Sequence, residues 1–111
     1  MTTQDLIDKI QLKPLSRFKP RTCNGVYVSD MLSDVMAGAK SGNLWLTVQT
    51  HKSIVSAANL VDVSAVIVTS GKPVPQDTVD LASKYDIPIL SSSLSTYELI
   101  GKLYGLGLSP N

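Results

Sequence analysis

The sequence predicts a small three-layer α/β/α sandwich with a mostly parallel sheet of four to five strands. Three observations lead to this fold class. From Gly25 onward, a short apolar run, a polar junction and an amphipathic helix follow one another four times. The runs, such as AVIVT at 65–69, are β-branched and apolar on both faces, which is typical of strands covered by helices on both sides. Helix-length connections make neighbouring strands parallel.

The first 24 residues are predicted to form a helix and a connector. The helix begins near Thr3 and carries Leu6, Ile7 and Ile10 on one side. The following LKPLSRFKPRTCNG breaks this pattern with two prolines and basic residues, so it is expected to be a connector with one short edge strand. We therefore expect one domain over 1–111, in which 1–24 precedes a β-α core over 25–111.

The first two β-α units begin with the runs GVYVSD and LWLTVQ. GVYVSD precedes a predicted helix over 31–40, which Ser29 or Asp30 caps and Gly42 ends. LWLTVQ precedes a second helix over 52–61. Its predicted inward stripe consists of Ile54, Ala57, Ala58 and Val61.

The third and fourth units begin with SAVIVTSG and IPILSSS. Pro75 is the predicted first helical residue of the third unit, whose inward residues are Val79, Ala82 and Tyr85. In the fourth unit, Ser95 and Glu98 have the spacing of a capping box. The apolar residues that follow this box are Leu99, Ile100, Leu103 and Leu106.

The composition is that of a compact domain without a strong charge. Hydrophobic residues make up 43% and charged residues 17%, and the net charge of +1 argues against a nucleic-acid partner. The apolar runs are far shorter than the ~20 residues that a membrane helix requires, so no membrane association is expected. The start MTTQDLIDKI lacks a signal-peptide pattern, and a single cysteine cannot form an intramolecular disulfide. The expected location is the cytoplasm.

Polar, hydroxyl-rich residues follow each predicted strand of the core. In an open parallel sheet the carboxyl ends of the strands form one edge, where ligands usually bind and where helix N-termini offer unpaired N–H groups. Such an edge suits a phosphate or a carboxylate. The predicted ligand-binding residues are Ser29, Asp30, Thr50, His51, Thr69, Ser70, Gly71 and Ser92. The alternative is that Ser, Thr and Asp gather there as helix caps.

His51, the only histidine, lies at the junction between a predicted strand and a predicted helix. At the edge of the sheet, its imidazole would donate to an anion or nucleotide beside 69–71, with Lys52 or Lys72 adding positive charge. The alternative is an exposed junction residue without a partner. No second residue is evident that would act with His51 in catalysis.

Metal and cofactor chemistry is not indicated by the sequence. One cysteine and one histidine cannot form a tetrahedral zinc site, and no carboxylate pair has metal-ligand spacing, so neither a metal nor a cofactor is expected. The phosphate-binding pattern GxxxxGK[ST] is absent. Basic residues near Cys23 would lower the pKa of its thiol, but a lone cysteine is more often incidental.

The stretch from about Asn43 to Leu106, with LTVQTHKSIVSAANL, AVIVTSGKPVPQDTVDLASKYDIPIL and STYELIGKL, resembles the DRTGG domain. This family is related to the N-terminal domain of HPr kinase/phosphorylase and also occurs inserted between CBS domains in some pyrophosphatases. Many members have Asp-Arg where this chain has Thr50-His51, and Thr-Gly-Gly where it has 69–71. With GVYVSDMLSDVMAGAKSGNLW before this stretch, the chain is also similar to short proteins that accompany iron-only hydrogenase genes in anaerobic bacteria.

The resemblance implies a regulatory or ligand-sensing module rather than an enzyme, because the kinase activity of the relatives belongs to a separate P-loop domain. The leading hypothesis is a non-catalytic module that binds a small anionic ligand, a nucleotide among the candidates, at the strand ends. The alternative is a protein-interaction adaptor linked to a hydrogenase or metabolic regulatory system. Its candidate docking patch consists of Leu103, Tyr104, Leu106 and Leu108. The resemblance also implies a homodimer.

Overall fold

The computed structural model describes residues 1–111 and contains five helices and one five-stranded sheet, which confirms the predicted fold class. The helices are α1 (Thr3–Ile10), α2 (Leu32–Gly38), α3 (Ser53–Val61), α4 (Gln76–Lys84) and α5 (Thr96–Gly105). The strands are β1 (Lys13–Pro14), β2 (Gly25–Val28), β3 (Asn43–Thr47), β4 (Ala65–Val68) and β5 (Ile89–Ser91). None of the helices combines the length and the apolar character that a bilayer crossing requires.

The strands lie in the order β1-β5-β4-β3-β2, and only the β1–β5 pair is antiparallel. The four parallel strands therefore follow their sequence order without a reversal. Right-handed crossovers that all advance in one direction place their helices on one face, which explains why α2, α3 and α4 share a layer. The chain passes to the other face after β5, where α5 packs beside α1.

Side chains alternate between the two faces of the sheet and build two separate cores. On one face, Leu46 of β3 packs with Leu6 of α1 and Leu99 of α5. On the other face, Trp45 is fully buried under the α2–α4 layer. The residues that these three helices contribute to the second core include Val35, Ile54 and Ala82.

The N-terminal connector supplies the edge strand β1, as predicted. Ser16, just beyond this strand, is buried, and its hydroxyl donates to the carbonyl of Ile87 at 2.6 Å and accepts from the N–H of Ile89 at 2.8 Å. The connector is thus fixed to the start of β5 by side-chain as well as main-chain bonds.

The helix predicted over 31–40 is shorter than expected, and capping by Ser29 or Asp30 is wrong. Met31 precedes the helix and has no side-chain cap. Ser29 accepts a hydrogen bond from the N–H of Met31, while Asp30 bonds to β3 instead. Gly42 lies beyond the helix with φ +85°, in the turn that leads into β3.

Two predictions about apolar side chains are also corrected. Tyr85 does not face inward, because it follows the last turn of α4 and leaves half of its surface exposed. Leu103 and Leu108 cannot form a docking patch, because both are buried in the core between α5 and the sheet. Tyr104 is the member of that predicted patch that is largely exposed.

Candidate ligand-binding site

The carboxyl ends of β2 and β3 are fastened together by Asp30. Its Oδ1 atom accepts from the hydroxyl of Thr47 at 2.8 Å and from the N–H of Val48 at 2.9 Å. The hydroxyl of Thr47 is buried, so the carboxylate supplies its acceptor where water cannot. The side chains of Asp30 and Ser29 therefore already form hydrogen bonds within the protein at this edge.

A crevice would be expected between β4 and β5, because the chain leaves these two strands toward opposite faces of the sheet. Main-chain bonds close it. The N–H of Ser70 donates to the carbonyl of Leu94 at 2.7 Å, and the N–H of Gly71 donates to that of Ser92 at 2.9 Å. Below them, the hydroxyls of Thr69 and Thr96 lie 2.6 Å apart. Thr69 and Ser92 are buried, which leaves Ser70 and Gly71 exposed on the surface of the closed loop pair.

The side chain of His51 is hydrogen-bonded to the first turn of α3. Its Nδ1 accepts from the N–H of Ser53 at 3.1 Å and lies 3.0 Å from the hydroxyl of the same residue. Because Nδ1 accepts from the backbone, the neutral ring carries its proton on Nε2. The neighbouring Thr50 is fixed through its carbonyl, which accepts from the hydroxyl of Thr78 at 2.8 Å. His51 is thus bonded to α3 through Nδ1, while its Nε2–H group remains exposed as a donor.

A groove of about 620 Å³ begins at His51 and runs between α3 and α4. Its α3 wall consists of His51, Lys52, Ser53 and Ser56. Its α4 wall consists of Asp77, Asp80, Leu81 and Lys84. Two ammonium groups, two carboxylates and two hydroxyls therefore surround one open volume. Such a set can hold an anionic group and hydrogen-bond donors of the same ligand.

The groove continues into a second, more apolar cavity of about 420 Å³. The two cavities share Ser56 and Leu81. The second adds Leu60, largely exposed on α3, and Tyr85, which is 51% exposed. The centroid of the Tyr85 ring lies 5.7 Å from the Nζ of Lys84. The combined groove is polar at the edge of the sheet and apolar toward the far ends of the helices.

The structure brings only part of the predicted site together. Of the predicted ligand-binding residues, His51 lines the groove, and Lys52 lines it next to His51. The stretch 69–71 does not line it and lies instead in the closed β4–β5 loops. Ligand binding by any of these residues stays a prediction.

The α4 wall was missed by sequence reasoning. Asp77, Asp80 and Lys84 recur at spacings of three and four, which places them on one face of a helix. That pattern indicates a polar helix face but does not say which other element lies beside it. Only the packing of α4 against α3 turns the face into the wall of a groove.

Cys23 is buried against the α1–α5 core. Burial raises the pKa of its thiol above the ordinary value, and this outweighs the opposing effects of Ser64 and Arg21. The lowered pKa considered from the sequence is therefore wrong. The thiol stays protonated at neutral pH, which is unsuited to a nucleophile.

Replacing His51 with alanine is expected to lower the free energy of unfolding by about 1 kcal/mol, because the first turn of α3 loses the acceptor for Ser53. Urea unfolding followed by circular dichroism measures this difference. His51→Asn is the matched control, since an asparagine side chain can accept the same bond and should retain most of the stability. Equal stability of wild type and His51→Ala would show that the bond adds nothing.

The fold and the groove define a class: a small α/β domain with an amphipathic groove on one helical layer. The family model described as HPr Serine kinase N terminus matches residues 45–106. The chain therefore belongs to the HPr serine kinase N-terminal family, a domain of the DRTGG type, which confirms the resemblance seen in the sequence.

Among solved structures, the regulatory region of Clostridium perfringens pyrophosphatase, with CBS and DRTGG domains and in complex with its activator diadenosine tetraphosphate, has the same fold. The TM-score is 0.69 at 16% sequence identity, and the match covers 89% of this chain and 44% of that one. This chain thus spans less than half the length of that regulatory region. A comparison with curated proteins found no match.

Proposed function

We propose that this protein is a non-catalytic regulatory module that binds a phosphorylated ligand, with a nucleotide as the leading candidate, in the groove between α3 and α4. The observation that carries this proposal is the division of the groove into a polar end and an apolar end. The family supports a regulatory role, and the pyrophosphatase regulatory region of the same fold is complexed with a dinucleotide activator.

The polar end suits a phosphate group. His51 Nε2 and the ammonium group of Lys52 are the donors there, and hydrogen bonds to an anionic group are stronger than neutral ones. Recognition would depend on these side chains because the first N–H groups of α3 already have partners: that of Ser53 donates to His51 Nδ1, and that of Ile54 to the carbonyl of His51. The ammonium group of Lys84 lies at the other end of the groove, beside the ring of Tyr85.

The remaining walls suit the other parts of a nucleotide. Asp77 and Asp80 can accept from ribose hydroxyls or from the amino group of a base. At the apolar end, the exposed ring of Tyr85 and the side chain of Leu60 offer a surface on which a base can stack. With His51 and Lys52 at one end and Tyr85 and Leu60 at the other, the groove matches a ligand that has a phosphate at one end and a planar base at the other.

A regulatory rather than catalytic role is supported by the chemistry of the side chains. The chain lacks the GxxxxGK[ST] motif, and no cluster of three His, Cys, Asp or Glu residues suited to a metal ion is present. The histidine Nδ1 is occupied by Ser53 and the single thiol is buried, so neither is poised as a base or nucleophile.

Adenosine polyphosphates are expected to raise the melting temperature. At a hundredfold excess over the dissociation constant, binding adds about 2.7 kcal/mol, which corresponds to roughly 10 °C for a domain of this size. Thermal unfolding with ATP, ADP, diadenosine tetraphosphate and tripolyphosphate measures this shift. Replacing Lys52 with alanine should weaken binding about tenfold, because a charged contact to the phosphate is lost.

Two further variants test the location of binding, one outside the groove and one at its apolar end. Lys9→Ala removes a lysine of α1 that lines a cavity beside α5, on the other face of the sheet, so it should leave the shift unchanged. Tyr85→Ala should reduce the shift with ATP but leave that with tripolyphosphate as it is. Absence of stabilisation by all four compounds, or equal loss in the Lys9 variant, would contradict the proposed site.

The second candidate function is a protein-interaction adaptor. It is favoured by the exposed aromatic residues Tyr97 and Tyr104, which lie on one face of α5 and could contact a partner. The ligand-binding function is compatible with the homodimer that we propose for this module, because the groove and α5 lie on opposite faces of the sheet. A homodimer that buries α5 would instead compete with a protein partner at Tyr97 and Tyr104.

A further inference from the structure

The outer face of α5 carries an apolar stripe that nothing in the chain covers. Tyr97 is 81% exposed and Tyr104 is 70% exposed, and Ile100 between them is also exposed. Spacings of three and four residues place the three side chains on one face over two turns of the helix. Leu99 and Leu103 of the same helix are buried on the side that faces the sheet. The helix α5 is therefore apolar on both sides.

The helical layer that contains α5 is incomplete. Three helices cover one face of the five-stranded sheet, whereas only α1 and α5 cover the other. Next to α5, above the edge strand β2, the C-terminal segment 108–110 lines an apolar groove of about 260 Å³. Val26 and Val28 form its floor, and Val28 is half-exposed. This is the position that a third helix would occupy.

The charged residues of α5 lie away from this groove. Lys102 lines a different cavity, together with Lys9 of α1, on the other flank of the helix. The carboxylate of Glu98 is held by Ser95 in the capping box. The stripe and the groove contain no ionisable acid or base except the tyrosine hydroxyls. A two-fold interface brings equivalent residues close together, so an uncharged face avoids repulsion between like charges.

We propose that a second copy of this chain covers this face, with the two α5 helices packed antiparallel across a two-fold axis. This inference rests on the homodimer of the proposed function and assigns the residues that form its interface. Tyr97 of one protomer then lies against Tyr104 of its partner, and the axis passes near Ile100 and Gly101, midway between the two tyrosines. Antiparallel helices also align their dipoles favourably.

The available area is consistent with a dimer. Two tyrosines exposed to this degree present about 300 Å² of surface per protomer, so two protomers bring about 600 Å² from these residues alone. A specific interface requires about 1,000 Å² in total. Ile100, Val28 and the groove beside them add apolar surface to this sum.

The centre of the proposed interface allows close approach. A Cβ atom added to Gly101 would meet no atom within 4 Å, and the same holds for Gly105 one turn later. The main chain of α5 is thus open to a neighbouring helix at both positions. Gly101 would lie at the axis, opposite the same residue of the partner.

The first test compares two tyrosine variants by light scattering and analytical ultracentrifugation. The wild type is expected to be a dimer at about 100 µM, and Tyr104→Glu should raise the dissociation constant at least tenfold, because a charge would be buried at the interface. Tyr85→Glu is the matched control on the other face of the sheet and should remain dimeric. A monomeric wild type would overturn the homodimer itself, whereas a dimeric Tyr104→Glu would overturn only this interface.

The second test tells the antiparallel arrangement from a parallel one. Gly101→Cys should form an intermolecular disulfide under mild oxidation, because the two residues would meet at the axis. Gly105→Cys should not, since each residue lies about 6 Å along the helix from the axis and its copy about 12 Å away. The native Cys23 is buried and does not compete. Rapid crosslinking of both variants would indicate parallel helices, and crosslinking of neither would overturn the interface; neither result bears on ligand binding.

Discussion

Replacing Trp45 with alanine is expected to lower the free energy of unfolding by about 3–5 kcal/mol. The indole is fully buried on β3, beneath the α2–α4 layer. Its removal leaves a cavity that the surrounding helices and strands fill only in part. The change also removes the hydrogen bond from Nε1 to the carbonyl of Ser29, 2.8 Å away at the end of β2. Urea unfolding monitored by circular dichroism measures the effect, since the variant has no tryptophan fluorescence.

Trp45→Phe separates the two contributions to this loss. Phenylalanine keeps most of the apolar contact but cannot donate to Ser29, so it is expected to cost less than alanine. Its remaining loss reports the smaller volume and the unpaired carbonyl, whose cost is about 1–3 kcal/mol when buried. If the alanine variant lost less than 1 kcal/mol, the ring would not be an essential part of this core.

Asp30→Ala is expected to destabilise the protein by about 2 kcal/mol. The carboxylate accepts two hydrogen bonds, one from the hydroxyl of Thr47 and one from the N–H of Val48. Because the Thr47 side chain is buried, its hydroxyl would be left without an acceptor. The same urea titration measures the loss, and the free energy of ligand binding should stay unchanged because Asp30 does not line the α3–α4 groove.

Two further variants test the reason for this loss. Asp30→Asn keeps a carbonyl oxygen for one or both bonds, so it should retain roughly half of the stability that alanine loses. Combining Asp30→Ala with Thr47→Val removes both partners of the buried bond, and the double variant should be more stable than the sum of the single changes predicts. Strict additivity would mean that the two side chains do not interact. Weaker nucleotide binding by a stable Asp30 variant would instead indicate that Asp30 contacts the ligand.

The local patterns of the sequence correctly predicted features that depend on a few adjacent residues. The spacing of Ser95 and Glu98 predicted the capping box that begins α5, and the structure has both of its bonds. The two-sided apolar runs predicted the buried strands β3 and β4. Where a polar residue had two choices of partner, local reasoning failed: Asp30 bonds across to β3 rather than to its own helix.

By itself, the sequence determined the alternating order of elements, the three-layer class and the family, because periodicity and capping are encoded within single segments. The tertiary structure alone decided which residues meet. It closed the β4–β5 crevice with main-chain bonds between Ser70 and Leu94 and placed the polar face of α4 beside His51. It also left Tyr85 at the end of a groove instead of in the core. A segment's periodicity identifies the face that it buries, but the element opposite that face is set by long-range packing, which no single segment encodes.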